Sequence, residues 1–191
     1  SLLAGQPDLG LKIVENWRRR QSQSAAAARY ALQLHLLLRQ RDAAVAAMRD
    51  YLQYTKADEL NSAMTVLPGY FALPTKAQGV DGGEPMPQID VSTARALEAV
   101  VQSYKDKPQH AATAWGVIAS VRAQSGQSQA AAQAATQALA LDPSNANAAW
   151  VLLQALQAKD GKRQTILSPD EHSAAQKALA KFVEKSTSLS P

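Results

Sequence analysis

Hydrophobic side chains recur along the chain at helical spacing, and no stretch sustains the strict alternation of a half-buried strand. Leu9, Ile13 and Trp17 fall at i, i+4 and i+8, which predicts a helix with those three turned inward. Leu32, Leu36 and Leu37 belong to a second stripe, and Val45, Met48 and Leu52 form a third. The same rhythm continues through Ala94, Leu97, Val101 and Tyr104, then Trp115, Ile118, Ala119 and Arg122, then Ala131, Ala134, Ala135 and Ala138. Trp150, Leu153 and Leu156 lead to a last helix near 169–185, with Ala175, Leu179 and Phe182 inward. Gly126-Gln127 and Asp142-Pro143-Ser144-Asn145 separate successive helical stretches. Ser168-Pro169-Asp170-Glu171 reads as a helix start, with Ser168 as cap, Pro169 in the first turn and Glu171 completing a capping box. The expected fold class is therefore all-α, built from antiparallel helix hairpins.

One segment breaks this rhythm. Residues 68–90 hold four of the nine glycines and four of the nine prolines, a density that forbids a continuous helix. The segment still carries Tyr70, Phe71, Leu73, Val80, Met86 and Ile89. It is expected to be a packed excursion (68–91) between an N-terminal block of degenerate helical repeats (1–67) and a C-terminal block (92–191), with a flexible linker as the alternative.

Composition supports the helical reading. Ala contributes 38 of the 191 residues and Gln 19, and Ala is the strongest helix former and a poor strand former. Cys is absent, which excludes disulfides, thiolate nucleophiles and zinc sites that need sulfur. No apolar run approaches the ~18 residues of a membrane span.

The segment 112–145 is a 34-residue unit that resembles the tetratricopeptide repeat (TPR), as found in bacterial TPR-like helical repeat proteins. That family's signature is Trp-x2-Leu-Gly-x2-Tyr, then Ala-x3-Phe, then Pro. Trp115 takes the Trp place, Ile118 the Leu place and Ala119 the Gly place. Gly126 ends the first helix, Ala131 and Ala138 take the small positions of the second, and Pro143 closes the unit. Arg122 replaces the Tyr and Ala135 the Phe. A further unit begins in phase at Ala146, with its large aromatic one place late at Trp150 and its second helix delayed by the 162–167 insertion. Residues 24–56 look like another degenerate pair turning at 39–42. Ala4-Gly5-Gln6-Pro7-Asp8 echoes the turn within a unit, so the chain is expected to start mid-repeat and to be a piece of a longer protein. The resemblance implies hairpins stacked as an α-solenoid.

It also implies function. First helices of successive repeats line a groove in this family, and carried onto this chain that face offers Thr113, Gly116, Ser120 and Gln124, then Asn147, Trp150, Val151, Gln154 and Gln157. Such a polar, uncharged face with an aromatic anchor would suit a protein or extended peptide partner. The Lys/Asn/Arg clamp of the chaperone-tail-binding subset is missing, since Gly116, Ser120 and Val151 occupy its places. Similar modules occur in bacterial envelope scaffolds and adaptors for assembly, secretion or protease recruitment, which implies a periplasmic or outer-membrane-associated setting.

The residues themselves offer little chemistry. His35, His110 and His172 fall on separate predicted helices or helix ends without a metal-ligand partner at i+4, and no phosphate-binding glycine loop or nucleophile elbow occurs. No catalytic residue, metal ligand or cofactor is assigned. Formal net charge is +4, yet residues 1–56 hold nine basic against four acidic side chains. Arg18, Arg19 and Arg20 are the centre of that excess, readable as a basic patch or as the ordinary C-terminal turn of a helix. An RNA-binding solenoid is the alternative to the scaffold, weakened by sparse aromatics; an accessory domain of a larger enzyme or export channel is the third class.

Overall fold

A computed structural model describes residues 6–72, 88–158 and 166–188. Among these residues every regular element is helical. The chain divides into two compact units, 1–71 and 72–191. The remainder of the expected excursion, 73–87, and most of the 162–167 insertion lie outside the described residues, as do residues 1–5.

The first unit contains α1 (Pro7–Arg20), α2 (Ala25–Leu37), α3 (Arg41–Tyr54), and the short α4 (Leu60–Thr65) and α5 (Leu67–Phe71). Helix α2 is central and contacts α1, α3 and α5. Ser24 caps α2 by accepting from the Ala27 N–H at 3.2 Å. The core gathers Leu32, Met48, Leu52, Met64 and Leu67, all fully buried. The stripe expected on α1 is a correction: Leu9 and Ile13 are 53% and 55% exposed, and the buried residues of α1 are Gly10 and Val14. Glycine and valine let α1 lie close on the Ala-rich α2, which larger side chains would hold away. Leu37 is likewise exposed, because it falls two turns after Tyr30 on the outer face of α2.

The second unit holds α6 (Val91–Val101), a single 3₁₀ turn at Gln102–Tyr104, α7 (Pro108–Gln124), α8 (Ser128–Leu141), α9 (Ala146–Gln157) and α10 (Pro169–Thr187). Helix α7 packs on α6, α8 and α9, and α10 on α8 and α9. Ala131, Ala134, Ala135 and Ala138 are all buried, as their spacing predicts, and let α8 approach α7 closely. Arg122 sits at the junction of three helices. Its guanidinium donates to both Glu98 carboxylate oxygens on α6, at 3.1 and 3.0 Å, and to the Ala130 carbonyl on α8 at 3.3 Å. Trp115 is half-buried, with the Lys105 ammonium 5.7 Å from its ring.

The hairpins α2–α3 and α7–α8 turn in the same way. Gln40 N–H donates to the His35 carbonyl and Arg39 N–H to that of Leu36; Gln127 N–H donates to Arg122 and Gly126 N–H to Ala123. The central residues, Arg39 and Gly126, both have positive φ, 58° and 79°. Helix α10 starts as expected, with both halves of the Ser168–Glu171 capping box formed.

Candidate functional site

The candidate surface is built on α7 and α9. Asn145 fixes their register. Its Oδ1 accepts from the Ala148 N–H at 3.0 Å, capping α9, while its Nδ2 donates to the Ala112 carbonyl of α7 at 3.1 Å. The same side chain covers Gly116, where an added Cβ would lie 2.9 Å from Asn145 Nδ2. At the other end Gln154 and Gln157 share a cleft with Ala123, near the C-terminus of α7. Helix α9 therefore runs alongside α7 in the same direction.

That cleft has a volume of about 340 Å³, and its walls are Ala123 of α7, Ser128 and Ala131 of α8, and Val151, Gln154, Ala155 and Gln157 of α9. Three residues of the expected groove thus converge: Gln154 and Gln157 offer amides at the rim and Val151 a buried apolar wall. Asn147 and Trp150 lie on the exposed face of α9, with Trp150 59% and the adjacent Leu153 40% exposed. The residues that α9 buries are Ala148, Ala149, Val151, Leu152 and Ala155. Small and medium side chains fit against α7 and α8, whereas an indole would force α9 outward.

The α7 half of the expected groove is less open. Gly116 is buried beneath Asn145 and offers no free surface. Thr113, Ser120 and Gln124 are half-buried, and the Ser120 hydroxyl donates to the Gly116 carbonyl at 3.1 Å. The Gln124 carbonyl accepts the Ile89 N–H at 3.0 Å, which seats the segment before α6 against the end of α7. Ala123, Ser128 and Ala155 were missed as site residues because they carry no chemistry of their own. Asn145 could have been found, since an Asn just before an apolar periodic run is a cap signature.

The basic patch is not one surface. Arg18 forms an ion pair with Asp50 of α3 and is half-buried, whereas Arg19 and Arg20 are exposed in the last turn of α1, where cations suit the helix dipole. The histidines serve local structure. His35 is buried with Nδ1 2.8 Å from Gln40 Oε1, and His110 is buried with its ring set edge-on to Tyr104. Burial pushes the Tyr104 hydroxyl above its ordinary range.

The chain matches no protein-family model, no curated protein and no solved structure.

Proposed function

We propose that this chain is a TPR-like helical repeat scaffold, a non-enzymatic adaptor that holds an extended segment of a partner protein. The observation that carries the reading is the exposed Trp150 on α9, beside a cleft rimmed by the amides of Gln154 and Gln157. An extended chain needs partners for its own N–H and C=O groups, and the exposed Gln157 carboxamide supplies both a donor and an acceptor. Trp150 adds a large apolar anchor with little rotamer freedom to lose on binding, and aromatic residues of this kind dominate binding hot spots. The parallel placement of α7 and α9 supports repeat stacking, the geometry an α-solenoid requires. In this reading the Cys-free, Ala/Gln-rich chain belongs to a bacterial envelope adaptor, working in the periplasm or at the outer membrane.

Selection of random linear peptides on the immobilised chain tests the surface directly. The selected peptides are expected to lose about tenfold or more in affinity on Trp150→Ala and to weaken on paired Gln154→Ala and Gln157→Ala. Selected peptides that bind the triple variant as tightly as the parent chain would place the partner elsewhere and overturn the assignment.

A further inference from the structure

The first unit carries an apolar surface that its own core does not use. Leu9 and Ile13 protrude one turn apart from α1, and Trp17 follows one turn later. The Trp17 ring lies 6.1 Å from that of Tyr30 on α2, and its Nε1 donates to Gln21 Oε1 at 2.8 Å. Tyr30 is itself 38% exposed. Helix α1 has already buried Gly10 and Val14 against its neighbour, so Leu9, Ile13, Trp17 and Tyr30 form a second apolar face, running across two helices.

The charges around this face have one dominant sign. Arg20, eleven positions after Leu9, falls on the line of the stripe, and Lys12 and Arg19 lie along its flank, all three exposed. Arg29, 5.8 Å from the Tyr30 ring, is hydrogen-bonded to Tyr51 of α3 and is not one of these charges. The acidic residues of α1, Asp8 and Glu15, fall on the side of Lys12 and Arg19 away from the stripe. Arg18 is turned to Asp50 and adds no free charge.

We infer that this face docks an acidic amphipathic helix of a partner protein. The occupant is a helix because the backbones of α1 and α2 are internally bonded here, so whatever covers the stripe must satisfy its own N–H and C=O groups. It is acidic because the exposed cations beside the stripe, Lys12, Arg19 and Arg20, are complemented by carboxylates. A bilayer would gain little beyond Leu9 and Ile13, since Trp17 is already half-covered, whereas a helix lies against the whole stripe and sets carboxylates beside the cations. This surface belongs to the first unit, and the one on α9 to the second.

The test uses the full chain and three probes: a labelled synthetic helix of about 18 residues with leucines at i, i+3, i+4 and i+7 and glutamate elsewhere, the same peptide with lysine for glutamate, and phosphatidylglycerol–phosphatidylcholine vesicles. The acidic peptide is expected to bind in fluorescence anisotropy, and to bind more weakly as salt rises. Affinity is expected to fall about tenfold with Ile13→Glu and severalfold with Arg20→Glu, and to be unchanged with Trp150→Ala. Both α1 substitutions are on exposed side chains, and circular dichroism checks that the helices persist. Equal binding of both peptides, wild-type affinity in Ile13→Glu, or binding to vesicles alone would each overturn the inference.

Discussion

Arg39 holds φ at 58° between α2 and α3, the place Gly126 fills at 79° between α7 and α8. A Cβ in that region costs about 1–2 kcal/mol, part of which a glycine returns through its freer unfolded chain. Arg39→Gly is therefore expected to stabilise the first unit by about 0.5–1 kcal/mol, and Gly126→Ala to destabilise the second by about 1 kcal/mol, both read from urea midpoints. Gly126 was legible in the sequence as a turn; Arg39 was placed in a turn without any sign of its strained backbone, because arginine carries no such signal. Asn145 is a related case. Its capping role is local, but the bond to Ala112 joins residues 33 positions apart and exists only once α9 lies on α7. Asn145→Ala is expected to cost about 1–2 kcal/mol in urea unfolding, and Asn145→Asp at least as much, since the aspartate keeps the cap but sets a carboxylate oxygen against the Ala112 carbonyl.

At the scale of elements, helix starts and turns follow from nearest neighbours, and contacts between helices do not. The Ser168–Glu171 capping box was readable from four consecutive residues. The convergence of Gln133 and Gln129 of α8 on the same carboxylate, at 2.8 and 3.0 Å, was not. These bonds, that from Gln133 first and then the Ser168 N–H, hold the Glu171 carboxyl down at about 2 from an ordinary 4.5. A lowered folded pKa means that the stabilisation is present above the unfolded value and is lost as pH falls through the window between the two. Wild-type protein is thus expected to lose more stability between pH 7 and pH ~3 than Glu171→Gln, when both are compared by urea titration at each pH. Arg122 makes the same point without a titration. Its ion pair with Glu98 joins residues 24 positions apart and forms only once α6 lies on α7.

Across the whole molecule, one hairpin design occurs in both units. Residues 87 positions apart play equal parts: Ala44 and Ala131, Ala47 and Ala134, and Leu52 and Leu139 are all buried. Other matched pairs differ in size, among them Met48 and Ala135, both fully buried. Met48→Ala is expected to cost about 2–4 kcal/mol by leaving a cavity, and Ala135→Met about 1–3 kcal/mol by forcing α7 and α8 apart, each measured by denaturant unfolding.

The amino-acid sequence by itself determined where the longer helices lie and where they turn, because period, proline and glycine act within a few residues, whereas the short α4 and α5 gave no such signal. The resemblance, not the spacing, placed Val151, Gln154 and Gln157 on one face, and they line one cleft. The tertiary structure decided which face of each helix is covered. Helix α9 carries Trp150, Val151, Leu152, Leu153 and Leu156 almost all round, and α1 carries Val14 on one side and Leu9 and Ile13 on another, so periodicity alone permits more than one inward face. The choice falls to packing: the faces with small and medium side chains fit against Ala-rich neighbours, and the bulky ones are left at the surface, where binding is proposed.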